Sequence, residues 1–152
     1  TGLAIRTDMR LRERHPGILQ GLTPAECREN HADCCARLAS GDPDYVIPEG
    51  ESARQRYDTA IACAEEIAAR HAGQRAAVVT HGGVLSAIFR RAAGLPPGAP
   101  RRCALWNAGI NVIAIENGSW MLWRRGDTHH LADLDTSDDD GVSRPRRKLH
   151  WT

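Results

Sequence analysis

The chain has 152 residues, enough for one domain with a sizeable core and no need of disulfides or a metal to hold it together. Its 20 basic and 19 acidic residues leave a formal charge of +1, which excludes the broad basic excess of a general nucleic-acid-binding surface. No apolar run is long enough to cross a bilayer, no signal peptide is visible, and five cysteines without a zinc-type CxxC pair read as reduced thiols of a cytoplasmic protein.

Residues 1–22, TGLAIRTDMRLRERHPGILQGL, lack a strong period and read as short extended pieces joined by an arginine-rich loop. Thr23-Pro24-Ala25-Glu26 is a helix start: Thr23 can cap, Pro24 suits the first helical position and Glu26 closes a capping box. The helix is predicted to run to about Ala39, before Gly41. Cys27, His31 and Cys34 would share one face of it, an arrangement able to hold a metal but more often core. Residues 40–50, SGDPDYVIPEG, read as a loop. Ser52, with Gln55 three residues on, opens a second helix whose apolar positions Tyr57, Ala60, Ile61, Ala64, Ile67 and Ala68 recur at helical spacing, and Gly73 ends it.

Ala76–Thr80 has no polar alternation and is predicted to be a short buried strand of a parallel sheet, with Gly82-Gly83 as the turn and a helix from Val84 to about Ala93. Leu105–Gly109 reads as a connector. Ile110–Glu116 and Ser119–Arg124 read as strands around the hairpin pair Asn117-Gly118. Helices and strands alternating in this way indicate an α/β sandwich over residues 1–134. Residues 135–152, with an acidic cluster followed by a basic one, read as a mobile charged tail.

Two segments carry candidate chemistry. His81 closes the predicted strand, where ligands bind in open α/β sheets. The glycines after it let a ligand approach the backbone, and the following helix presents free N–H groups that favour an anion. That pattern fits a phosphate pocket; it also fits a histidine at a strand end with glycines that only make the turn. The second segment is Arg10-Leu11-Arg12-Glu13-Arg14-His15-Pro16-Gly17. Arginine forks match phosphate oxygens and a glutamate among them can move a proton, although mixed charge in a loop is often only solvated surface.

Taken together, LRERHPGILQGLTPAE resembles the segment around the catalytic glutamate of the histidine phosphatase superfamily, the phosphoglycerate mutase-like proteins. PEGES is similar to the Gly-Glu-Ser that opens a helix there, VVTHGGVL resembles the second histidine motif, and NAGINVIAIENGSWMLWRRGDTHHL resembles the closing strands. The four motifs follow in the family's order over residues 1–134. The resemblance implies a three-layer α/β/α sandwich with a mainly parallel sheet. It implies that Glu13 is the proton donor to the leaving oxygen and the base for the attacking water. His81 is then the second pocket histidine, the Gly82 backbone N–H completes the phosphate cradle, and Arg14 makes a substrate-side contact.

The family's nucleophile lies in an Arg-His-Gly motif on its first strand, and that motif is absent here. Arg14-His15-Pro16 lies inside the glutamate motif, and Arg70-His71-Ala72 ends a helix. The first strand and helix of the family are therefore expected to precede Thr1 in a parent protein, and their absence should expose apolar edges and unpaired backbone. Glu13 and His81 stand 68 positions apart, a compact spacing that resembles the family's phosphatases more than its glycolytic mutases. The expected activity is a phosphatase acting on a small phosphorylated metabolite through a phosphohistidine. The alternatives are mutase-type phosphoryl transfer, or an inactive member that serves as an anion-binding or interaction module. Covalent transfer through histidine implies no metal and no cofactor. The expected partner is a small phosphorylated substrate, with no nucleic acid and no membrane, and a homodimer is compatible with the sequence.

Overall fold

A computed structural model describes residues 2–100 and 104–132 of the chain. The helices are α1 (Pro24–Asn30), α2 (Ala32–Ala39), α3 (Ala53–Arg70) and α4 (Gly82–Ala92), followed by the strands β1 (Ile110–Glu116) and β2 (Ser119–Asp127). Short 3-10 turns lie at Met9–Leu11, Gly17–Leu19 and His129–Leu131. Both predicted helix starts form reciprocal capping boxes, Thr23 with Glu26 and Ser52 with Gln55, so the first free N–H groups of α1 and α3 are met by their own side chains.

The core is the seam between α3 and α4. Ala60 and Ile61 of α3 meet Val84, Ala87, Ile88 and Phe89 of α4, all buried, at the spacing that puts one stripe of each helix inward. One face of the hairpin closes this seam with Ile113, Trp120 and Leu122. β1 and β2 pair antiparallel, Ile113 opposite Leu122 and Ile115 opposite Trp120. The turn residues Asn117 and Gly118 both have positive φ, 49° and 76°, the backbone that a two-residue hairpin demands. β2 runs three residues beyond the predicted Arg124 because Ile110 pairs with Asp127 across an irregular register.

Two expectations are corrected. The helix predicted over residues 23–39 is two helices, because His31 leaves helical backbone at φ −138° and ψ 47°. α1 buries none of its side chains, so no packing holds the axis straight through the weak helix formers Asn30 and His31. Cys27 and Cys34 therefore sit on different helices, and Cys34 is buried. The buried parallel strand expected at Ala76–Thr80 is not one. The segment is unpaired among the described residues and Val79 is 97% exposed. A strand needs neighbours for its backbone groups, and the described sheet is β1 with β2 alone, antiparallel rather than parallel. Leu3 and Ile5 are similarly exposed, at 79% and 92%. The chain is thus α/β with a two-stranded antiparallel sheet among the described residues. The expected charged tail, residues 135–152, lies outside them. No described helix is long and apolar enough to cross a membrane.

Arg10 fastens the first 3-10 turn to α3. It donates to Asp8 at 2.7 Å and pairs with Glu66 at 2.7 Å. The Arg10 hydrogen bond holds the Asp8 carboxyl well below the usual carboxylate range and holds Glu66 below its ordinary value. Both folded values lie below the unfolded ones, so this stabilisation is present above pH 3.8–4.5 and is lost as pH falls through the folded values. Thermal melts across about pH 5 to 2 should show the midpoint dropping on the acid side, with a shallower drop in Arg10→Met. Identical acid limbs in the two proteins would show that this cluster does not set them.

Candidate active site

The arginine-rich loop is braced from the segment before α3. Glu51 donates its backbone N–H to the His15 carbonyl at 3.1 Å, and its carboxylate pairs with Arg12, whose guanidinium also donates to the Glu13 carbonyl at 2.9 Å. The backbones at Gly17 and Gly50 run in contact. A Cβ on Gly17, which has φ +56°, would lie 1.9 Å from the Pro48 carbonyl oxygen, and one on Gly50 would lie 2.7 Å from that of His15. The PEGES segment therefore does two things: Ser52 caps α3, and Gly50 and Glu51 clamp the loop that carries Glu13.

That loop points Glu13 at the start of α4. Its carboxylate accepts the Gly83 N–H at 2.9 Å and its own neighbour's N–H, that of Arg14, at 2.8 Å. Gly83 is the second residue of α4, where the N–H has no acceptor within the helix and the helix dipole favours a negative charge. A Cβ on Gly83 would lie 2.1 Å from Glu13 Oε1, so the carboxylate takes the space that any other residue would fill. His81 is the N-cap residue of the same helix, with extended backbone, an exposed side chain and no capping bond. The Gly82 N–H between them has no acceptor among the described residues.

The structure thus brings Glu13, Arg14, His81, Gly82 and Gly83 to one helix end. Arg14 faces a cleft of about 200 Å³ together with Glu13 and Gly83. Residues not named as site candidates from the sequence share this cleft: Arg56 and Tyr57 from α3, and Ser86 and Arg90 from α4. Arg90 is held by the Ala99 carbonyl at 2.9 Å and by Ser86. The signal for Arg56 was available, since it lies on the same stripe of α3 as the buried Ala60 and Cys63. The Cys27, His31 and Cys34 set does not form a site, and no three His, Cys, Asp or Glu side chains gather to hold a metal among the described residues.

The chain is similar to known proteins in sequence and in fold. The sequence model of the histidine phosphatase superfamily, branch 1, matches residues 1–128. A metal-independent phosphoserine phosphatase of Arabidopsis thaliana is 38% identical over 125 residues, which cover 82% of this chain and 51% of that protein. Phosphoglycerate mutase-like protein 4 of Arabidopsis thaliana is 35% identical over 133 residues, covering 86% of this chain and 56% of that protein. The chain therefore spans about half the length of these curated relatives. Among solved structures, Bacillus stearothermophilus YhfR superposes with a TM-score of 0.72 at 25% identity, over 82% of this chain and 62% of its own. A mycobacterial glucosyl-3-phosphoglycerate phosphatase in complex with VO3 does so with a TM-score of 0.65 at 27% identity, over 84% of this chain and 65% of its own. With 128 of 152 residues matched and the glutamate and histidine motifs meeting at one helix end, the chain belongs to the histidine phosphatase superfamily, branch 1.

Proposed function

We propose that this chain carries the acid and second-histidine half of a phosphatase that acts on a small phosphorylated metabolite. The observation that carries the reading is the bond from Gly83 N–H to Glu13, which unites two motifs lying 68 positions apart in sequence. The relatives' names support the reaction class, phosphoserine and glucosyl-3-phosphoglycerate being phosphate monoesters. Glu13 gives its proton to the leaving oxygen as the phosphorus–oxygen bond breaks. A nucleophilic histidine takes the phosphoryl group, forming a nitrogen–phosphorus bond. Glu13, now a carboxylate, accepts a proton of the water that attacks phosphorus, and the nitrogen–phosphorus bond breaks to release phosphate and restore the histidine. His81 and the Gly82 N–H face the oxygens on which charge accumulates, and Arg14 binds the substrate side.

The nucleophile of this scheme is assigned to an Arg-His-Gly segment of the whole protein, on a strand of a larger, mainly parallel sheet within a three-layer sandwich. The exposed apolar runs around Leu3, Ile5, Val78 and Val79 support that assignment, since such surface is usually covered. Phosphoglycerate mutase-type transfer is the second reading, favoured by the resemblance to the mutase-like relative. The intact mass of the purified protein, compared with 16.7 kDa for these 152 residues, tests for the added segment.

Three outcomes are expected in the protein that includes that segment. His81→Ala lowers kcat about 10²–10³-fold with the fold intact by circular dichroism, and near-normal turnover removes its role. Glu13→Gln slows esters with poor leaving groups about 10²-fold or more while sparing activated aryl phosphates, and equal slowing of both removes Glu13 as the acid. Gly83→Ala keeps α4 helical but displaces Glu13, and lowers kcat about 10²-fold on the same poor leaving groups. A Gly83→Ala protein with unchanged turnover would show that Glu13 does not work from its place at the helix end.

A further inference from the structure

Arg56 is an arginine on the apolar stripe of α3 and is 4% exposed. Burying a guanidinium is costly unless its charge and its donors are met. Around it Arg10 meets Asp8 and Glu66, Arg12 meets Glu51 and Arg54 meets Asp44, whereas Arg90, which lines the same cleft, is held by the Ala99 carbonyl and Ser86 rather than by a carboxylate. Arg56 pairs with no carboxylate among the described residues. Its Nη1 donates to the Arg12 carbonyl at 3.1 Å, its Nη2 donates to the Arg10 carbonyl, and its buried Nε has no partner. The carbonyl between those two, Leu11's, accepts the Thr80 hydroxyl at 2.7 Å. Three successive carbonyls ahead of Glu13 are therefore held by side chains from α3 and from the segment that ends at His81. A rigid planar fork can span two carbonyls of one loop, whereas a lysine meets them as a point donor.

We propose that Arg56 is the positioning residue for Glu13. It sets the backbone of residues 10–12 so that the Glu13 carboxylate meets the Gly83 N–H. Its uncompensated charge, lining the same cleft, also draws an anionic ester to that end of α4. The inference rests on reading Glu13 as the acid of a phosphate-ester site. It explains a feature that packing alone does not, because a methionine would fill the space without burying a charge.

Hydrogen exchange of the Gly83 amide is the direct readout, since that N–H has no acceptor in its own helix and its protection reports the Glu13 bond. The expected result is protection in the wild-type chain and its loss in Glu13→Ala. In Arg56→Met the Gly83 amide should exchange at least about tenfold faster, with the amides of residues 86–92 within α4 unchanged. Arg56→Lys, which keeps the charge, should fall between wild type and Arg56→Met. If Arg56→Met does not fold, Arg56→Lys decides by the same amide. A Gly83 amide as protected in the variant as in wild type, or unprotected in wild type, overturns the proposal. Inorganic phosphate titrated against the Gly82 and Gly83 amides reads the charge: Kd should rise about tenfold in Arg56→Met and stay within about threefold in Arg56→Lys. Equal Kd values across the three proteins overturn the charge role. Wild-type amides that ignore phosphate overturn both that role and the anion reading of the cleft, while the exchange result still decides the positioning.

Discussion

The described site depends on one hydrogen bond, from the Gly83 N–H to the Glu13 carboxylate. It joins a loop near the start of the chain to the first turn of α4, and it exists because residue 83 has no side chain. Helix starts leave N–H groups unmet and carry partial positive charge, so a carboxylate is well placed there. The same fit that admits Glu13 keeps it within reach of whatever lies against His81 and Gly82. Glu51, Arg56 and Thr80 hold the loop that carries Glu13.

The bracing is layered. Glu51 clamps the loop through Arg12 and the His15 backbone, and the paired glycines at 17 and 50 let two backbones touch. Arg56 and Thr80 hold the carbonyls of residues 10–12. Below them α4 is anchored in the core by Val84, Ala87, Ile88 and Phe89, so the helix end that receives Glu13 rests on a packed element rather than on a loop. Cleft and core thus share α4: Gly83, Ser86 and Arg90 line the cleft, while Val84, Ile88 and Phe89 face the core that α3 and the hairpin close.

Other surface is different in kind. The segments around Leu3, Ile5, Val78 and Val79 are apolar and exposed, and they carry no strand pairing among the described residues. Family membership and a span of about half the curated relatives' length go with that surface. Glu13, His81 and Gly82 are the residues proposed to support phosphoryl transfer, and the reaction as a whole is proposed for the protein that includes the nucleophile.

Local chemistry alone determined the helix starts and the hairpin. Thr23 with Glu26 and Ser52 with Gln55 satisfy N–H groups within four residues, and Asn117-Gly118 accepts the positive φ of its turn. Motif order in the sequence also pointed to Glu13 and His81. Tertiary structure decided what local signals cannot carry. Ala76–Thr80 has the composition of a buried strand, but a strand is made by its neighbours, and here the segment is exposed. The period of a helix over residues 23–39 did not survive at His31, where no packing enforced it. Helical spacing puts Arg56 on the stripe of Ala60 and Cys63, but only the fold shows its donors on the Glu13 loop, because a hydrogen bond across 44 residues leaves no mark on local pattern.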